Sequence, residues 1–268
     1  MLRGYLFDMD GVLYRGRRVL PGAQAMLADL TRSGIPFALV TNNSTRTPRQ
    51  YTRFLASLGM SVPVDRIVTT SVVTVAHLKR TLRPGARVLV IGEPPFRRTI
   101  ARAGFIPAWE DVAAVVVGLD RRVTYKKLSL AMAGIVRGVP FIASNPDPMF
   151  PTERGVAPGA GSLVAALQYA TGREPLVLGK PQPHMLREAL ARIGTRPAET
   201  AMVGDQLSTD IAAGRAAGMF TILVLTGVSA YRPGRDGDPR PDLTVRDLRE
   251  LRRWMGGRLP AGAVRSAG

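Results

Sequence analysis

Short apolar segments alternate with helical patterns almost from end to end of the chain, and that alternation restricts the fold more than any other feature. Stacked strand–helix–strand units build a parallel sheet covered by helices. "YLFD" (5–8) reads as the first strand, and "GAQAMLADLTRSG" (22–34) as a helix burying Met26, Leu27 and Leu30. "IPFALVTN" (35–42) is apolar enough to be buried on both faces. Thr47 followed by Pro48 starts the next helix, which buries Tyr51, Phe54, Leu55 and Leu58 and stops at Gly59. "RIVTTS" (66–71) and a helix over Val73–Arg80 complete a further unit.

Pro84-Gly85 then opens a fresh series, with strands at "RVLVIG", "AAVVVGLD" (113–120) and "PFIASN" (140–145). Helical stretches fall near Phe96–Ala103, Tyr125–Arg137 and "LVAALQYATG" (163–172). "PLVLGK" (175–180), "TAMVGD" (200–205) and "FTILVLTG" (220–227) read as more strands of the first sheet. The expected architecture is an α/β protein with a Rossmann-like parallel-sheet core. Residues 1–83 and 175–268 form that core, interrupted by a smaller α/β domain over 84–174. A last helix turns Leu248, Leu251 and Trp254 inward, and the Gly-, Arg- and Ala-rich end reads as a frayed tail.

Polar residues collect where the strands end. Asp8 and Asp10 close the first strand, Thr41 and Asn42 the second, Lys180 closes "LVLGK" and Asp205 closes "MVGD". Ligands of open parallel sheets bind beyond the carboxyl ends of the strands, so these groups are expected in one cleft. On an extended segment Asp8 and Asp10 would face the same side and repel, unless a cation screens them. Carboxylates from Asp8 and Asp205 are hard oxygen ligands of the kind Mg²⁺ takes. Asp8 can attack phosphorus, and Asp10 can serve as general acid and then base. Thr41 and the backbone amides after it can hold phosphate oxygens. Lys180 can offset charge on Asp8 and on the phosphoryl group, and Asp210 can cap a helix begun at Ser208 and Thr209 and orient Lys180.

These motifs resemble the haloacid dehalogenase superfamily: "DMDGV", "VTNNS", the Lys of "GKPQP", and "VGDQLSTD". "TNNSTRT", "VVVGLDRRVTYKKL", "SNPDPMFPTERGVAPGAGSL" and "GKPQPHML" resemble its NagD and 4-nitrophenyl-phosphatase branch, which carries a large α/β cap between the second and third motifs. The resemblance implies Asp8 as nucleophile, Asp10 as acid/base, and Asp8, the Asp10 backbone carbonyl and Asp205 as Mg²⁺ ligands. It implies phosphate binding by Thr41, Asn42, Asn43 and Lys180. The loop "SNPDPMFPTE" (144–153) would reach the core site with Asn145, Asp147, Met149 and Phe150 as substrate-selecting residues. Homodimerisation through the caps is a further implication.

Rival readings explain less. A lone DxD also binds the metal of a nucleotide-sugar in glycosyltransferases, but that leaves Lys180 and "GDQLSTD" without a task. Thr41-Asn42 alone could cap a helix, and a lone Lys180 could be solvated. "APGAGSL" lacks the lysine of a phosphate loop and reads as a closely packed turn. His77 and His184 have no metal-ligand partner at helical spacing. Dehalogenases of the superfamily lack an acid two residues after the nucleophile, whereas an alkoxide leaving group needs a proton. Asp10 therefore points to phosphate-ester hydrolysis. Transfer to an acceptor other than water, and a regulator that only binds a phospho-ligand, are the alternatives from other classes.

Charge and composition set the remaining bounds. The formal net charge is +17, carried mostly by arginines scattered along the chain. That distribution suits a small phosphorylated substrate and argues against nucleic acid, since no aromatic and basic RNA-binding signature accompanies it. No stretch approaches the ~18 apolar residues of a membrane helix, and Asp8 and Asp10 interrupt any signal-peptide core. The sequence has no cysteine. A cytoplasmic enzyme is expected.

Overall fold

A computed structural model describes residues 2–152, 155–227 and 237–256. Among these residues, eleven strands make two parallel sheets. They are β1 (Gly4–Phe7), β2 (Phe37–Thr41), β3 (Ile67–Thr69), β4 (Arg87–Ile91), β5 (Ile106–Pro107) and β6 (Ala114–Val117), then β7 (Phe141–Ala143), β8 (Leu176–Val177), β9 (Thr200–Gly204), β10 (Phe220–Val224) and β11 (Leu243–Val245). Two short hairpins, Tyr14–Arg15 with Arg18–Val19 and Met149–Thr152 with Gly155–Pro158, stand outside the sheets. Contacts divide the chain into two compact units. One comprises Met1–Thr41, Pro48–Val68 and Leu186–Gly268; the other comprises Asn42–Thr47 and Thr69–Met185.

The sheet of the first unit runs β11-β10-β9-β1-β2-β3. β1 sits between β9 and β2 and pairs in parallel with both, placing Phe7 level with Val203 on one side and Leu39 on the other. The chain winds outward from β1 in both directions, so β1 is the switch point of the sheet. Each residue of β1, β2 and β9 is buried, as a strand covered on both faces requires. Helix Ala23–Arg32 contributes Met26, Leu27 and Leu30 to the core, and helix Pro48–Ser57 contributes Tyr51 and Leu55. Arg252 of the last helix donates to Asp29 of the first, Nε to Oδ2 at 2.8 Å.

The second unit has a five-stranded sheet, β8-β7-β6-β4-β5. "PLVLGK" was expected in the first sheet, and this expectation is corrected: Leu176 and Val177 pair with Ile142 and Ala143 of β7. With only two paired residues, the segment is too short for its pattern to select a sheet. Leu178 N–H extends the same ladder to Ala143 C=O at 3.0 Å. Helix Thr70–Thr81 and the segment up to Met185 also group with this unit, beyond residues 84–174 at both ends. In the last helix, Leu248–Gly256, the buried side chains are Leu248, Leu251 and Met255. Trp254, expected inward, is half-buried and stacks on Phe220 with ring centroids 6.1 Å apart. The expected C-terminal tail lies outside the described residues. Among the described residues, no helix is long and apolar enough to cross a membrane.

Candidate active site

The polar residues of the first unit begin where β1 stops. Asp8 N–H still donates to Val203 C=O at 2.8 Å, but the chain then turns, with Leu13 N–H returning to Met9 C=O at 2.9 Å. The strand alternation therefore ends at Phe7. Asp8 is buried and Asp10 exposed, so the two carboxylates do not share one environment as a continuous strand would have placed them. Met9, between them, is fully buried and pins the turn to the core.

Asp205 follows β9, the parallel neighbour of β1, and Asp210 lies on the single π-helical turn Leu207–Ile211 that comes next. Asp8, Asp205 and Asp210 are all buried, and each offers a carboxylate oxygen within 4.8 Å of the others. Asp10 is not part of this trio. One oxygen of Asp210 is committed, since Oδ2 accepts the backbone N–H groups of Asp205 and Gln206, both at 3.1 Å. The expected capping role of Asp210 thus falls on the Asp205 turn rather than at Ser208. Three buried like charges this close repel strongly unless a cation joins them. Hard, buried carboxylate oxygens fit a small divalent cation such as Mg²⁺.

Gly11 and Gly204 are among the glycines that make room for the trio. Gly11 has φ +88°, and a Cβ built on it would stand 2.5 Å from Asp205 Oδ2. A Cβ on Gly204 would overlap the side chain of Asp210. Sequence reasoning assigned no role to either, although both stand in the quoted motifs "DGV" and "VGD". Thr41, the last residue of β2, is buried at the third strand end of this sheet.

In the second unit, Asn42 is the centre of a hydrogen-bond cluster. Its Oδ1 accepts Lys180 N–H and its Nδ2 donates to Lys180 C=O, both at 2.9 Å. Nδ2 also faces both oxygens of the Asp147 carboxylate, at 3.1 and 3.2 Å. Asn145 Nδ2 donates to Asn42 C=O at 3.0 Å, as does Thr70 Oγ1 at 3.2 Å. Lys180 is only 2% exposed, and the Lys180–Pro181 peptide is cis. Asn43 Oδ1 closes a local turn, accepting Thr45 N–H at 2.9 Å and Thr45 Oγ1–H at 2.7 Å.

The expected selectivity residues split into two pairs. Asn145 and Asp147 direct their side chains at Asn42, whereas Met149 is exposed and Phe150 half-exposed on the hairpin that follows. The "APGAGSL" turn packs as closely as expected: a Cβ on Gly161 would overlap Pro146 C=O, and Gly161 N–H donates to Asp147 C=O at 2.9 Å. Ser162 Oγ adds a bond to Pro148 C=O at 2.6 Å. The loop carrying Asn145 and Asp147 is thereby fixed to the start of helix Ala160–Thr171.

This sequence and fold have counterparts among known proteins. Residues 5–106 match the family model of haloacid dehalogenase-like hydrolases, and residues 177–251 match a second, HAD-hydrolase-like model. The chain is 39% identical over 248 residues to 5'-nucleotidase YutF of Bacillus subtilis (strain 168), covering 92% of this chain and 96% of that protein. The structure of p-nitrophenyl phosphatase from Archaeoglobus fulgidus superposes with a TM-score of 0.88 at 34% identity, over 94% of this chain and 99% of that one. NagD from E. coli K-12 gives 0.84 at 32% identity, over 93% and 98%. This chain belongs to the haloacid dehalogenase-like hydrolases, in the branch of NagD and the p-nitrophenyl phosphatases. It is an enzyme of the phosphatase class, acting on small phosphorylated substrates.

Proposed function

We propose that this enzyme hydrolyses small phosphate monoesters in two displacements through a phosphoaspartate on Asp8, with Mg²⁺ as its metal. The observation that carries this reading is the buried trio of Asp8, Asp205 and Asp210 beyond the carboxyl ends of β1 and β9. Asp8 and Asp205, with the Asp10 backbone carbonyl, would hold the ion, and Asp210 stands behind them on the Asp205 turn. When bound, Mg²⁺ supplies Lewis-acid neutralisation of phosphoryl charge.

The chain's own groups supply the rest. A carboxylate oxygen of Asp8 attacks phosphorus as the bond to the ester oxygen breaks, and Asp10 gives that oxygen its proton. The exposure of Asp10 suits a group that meets the leaving group. Water then attacks the phosphoaspartate, Asp10 takes its proton, and phosphate leaves with the Asp8 carboxylate restored. The Thr41 hydroxyl and the backbone N–H of Asn42 hold phosphoryl oxygens, and the Lys180 ammonium balances the charge that builds on them.

The second unit serves in this reading as an inserted cap, centred on residues 84–174, with Met149 and Phe150 offering an apolar surface to the substrate's organic part. YutF is named a 5'-nucleotidase and the Archaeoglobus fulgidus structure a p-nitrophenyl phosphatase, which supports nucleoside monophosphates and aryl phosphates as substrates. A homodimer is proposed from the resemblance alone, and a cytoplasmic location from the composition. The test is phosphate release from 4-nitrophenyl phosphate and a panel of monoesters, with Mg²⁺ and then EDTA. Release that EDTA abolishes and Mg²⁺ restores is expected. Release unaffected by EDTA would remove the metal from the reading, and no release from any ester would remove hydrolysis.

A further inference from the structure

We infer that the side chain of Asn42 positions Lys180, is set in its working orientation by Asp147, and is not itself a phosphate ligand. The inference takes the catalytic role of Lys180 from the proposed function above.

The first support is saturation. A carboxamide has two N–H donors and one carbonyl acceptor. In Asn42 the acceptor takes Lys180 N–H, one donor goes to Lys180 C=O, and the remaining donor capacity faces the Asp147 carboxylate. Those bonds use both N–H groups, leaving none for a phosphate oxygen. The paired bonds to N–H and C=O of one residue resemble the way a strand holds its neighbour, and they fix the Lys180 backbone about two points. A lysine otherwise has four side-chain torsions of freedom, so a fixed backbone is the first condition for a fixed ammonium.

The second support is orientation. Reversing the amide would set N–H against Lys180 N–H and carbonyl against Lys180 C=O. Only the NH₂ end can face a carboxylate, so Asp147 selects the orientation that fits Lys180. Asp147 is itself held, its N–H donating to Asn145 Oδ1 at 3.2 Å and its C=O accepting Gly161 N–H.

The third support is independent of hydrogen bonds. A Cβ on Gly179, the residue before Lys180, would stand 2.6 Å from Asn42 Oδ1 and 2.5 Å from Ser144 C=O. The chain omits a side chain where the Asn42 amide must reach the Lys180 backbone.

The experiment measures kcat and KM on 4-nitrophenyl phosphate with Mg²⁺, the inhibition constant of inorganic phosphate, thermal midpoints, and amide hydrogen exchange at Lys180. The variants are Asn42→Ala, Asn42→Asp, Asp147→Asn, and Asn42→Asp combined with Asp147→Asn. Wild-type turnover tests the hydrolase reading; the variants, measured relative to it, test the positioning role. Asn42→Ala is expected to lower kcat by about 30- to 100-fold, as sub-ångström to 1 Å misplacement of a catalytic group does. KM and phosphate inhibition should stay within about threefold, the mark of an interaction expressed in the transition state. Exchange at the Lys180 amide should accelerate.

Asn42→Asp should lose as much, because a carboxylate then faces both Asp147 and Lys180 C=O. Adding Asp147→Asn restores a donor opposite that acceptor, and should recover at least about tenfold of kcat. A rise in KM and in the phosphate inhibition constant with unchanged kcat would overturn the proposal by making the Asn42 side chain a phosphate ligand. A lowered thermal midpoint with unchanged kcat would overturn it by making the cluster structural only. Where Asn42→Ala does not fold, Asp147→Asn carries the test: unchanged kcat and unchanged Lys180 exchange there would overturn the orientation step.

Discussion

Gly11 and Asp205, 194 residues apart in the chain (205 − 11), occupy one another's space: the hydrogen of Gly11 points at Asp205 Oδ2, where a Cβ would stand 2.5 Å away. The same glycine has φ +88°, a conformation that costs an L side chain roughly 1–2 kcal/mol. Gly11→Ala therefore meets two penalties, and relieving the contact means moving the Asp205 carboxylate. The expected result is a loss of at least about 100-fold in kcat/KM, with a raised Mg²⁺ requirement. A Mg²⁺ titration of activity reads both. Wild-type Mg²⁺ dependence in a folded variant would show that Asp205 is not a ligand.

Asp8→Asn separates the chemistry from the fold. Removing one charge from three buried carboxylates relieves repulsion, so in EDTA the variant should melt at or above the wild-type temperature. Saturating Mg²⁺ stabilises a specific site by about 2.7 kcal/mol at a hundredfold excess over Kd. The variant should show a smaller Mg²⁺-induced rise in midpoint than wild type, and turnover reduced by at least about 10³-fold. Thermal melts with and without the ion, beside a phosphate-release assay, check both. Turnover near wild type would exclude Asp8 as nucleophile.

Asp210 is reached through its backbone partners. Its Oδ2 holds the N–H groups of Asp205 and Gln206, and a bond to a charged acceptor contributes roughly 1.5–3 kcal/mol. Asp210→Ala should destabilise the protein by about 2–4 kcal/mol and weaken Mg²⁺ dependence, because the Asp205 backbone loses its anchor. Asp210→Asn keeps one acceptor and should cost about half as much. Gly204→Ala should reproduce the Asp210→Ala phenotype, since its Cβ displaces that side chain. Denaturant unfolding of the three variants is the measurement, and a silent Gly204→Ala would contradict this packing.

What could be read from the sequence was what depends on local pattern. The buried strands β1, β2 and β9 announce themselves by continuous apolar runs, and the acids that follow β1 and β9 stand out because charge is costly after such runs. Non-local choices were not legible. Leu176 and Val177 are apolar in either sheet, and only pairing with Ile142 and Ala143 decides between them. The Asn42–Lys180 pair is separated by 138 residues, and nothing in "VTNNS" distinguishes an asparagine that binds phosphate from one that binds a backbone. Trp254, read as inward, packs against the core only half-buried and stacked on Phe220, while Met255 beside it is buried; the alternation of a single helix face does not decide between the two.

Tyr5 connects strand β1 to the alkaline limb of stability. Its side chain is buried, and burial pushes the phenol up from 10.0 to about 12. An unfolded tyrosine ionises near 10, so the folded state holds its proton more tightly. The resulting stability is complete below pH 10 and is lost as pH rises toward 12. The slope is about 1.4 kcal/mol per pH unit for one group. Between pH 10 and 12 the wild type should therefore lose on the order of 2–3 kcal/mol from this residue alone. Tyr5→Phe keeps the ring that stacks on Phe7 at 6.1 Å and removes the ionisation. Urea unfolding at pH 8, 10 and 11.5 should show the two proteins diverging only above pH 10, with the variant the less pH-sensitive. Parallel curves over that range would show that Tyr5 ionises as readily folded as unfolded.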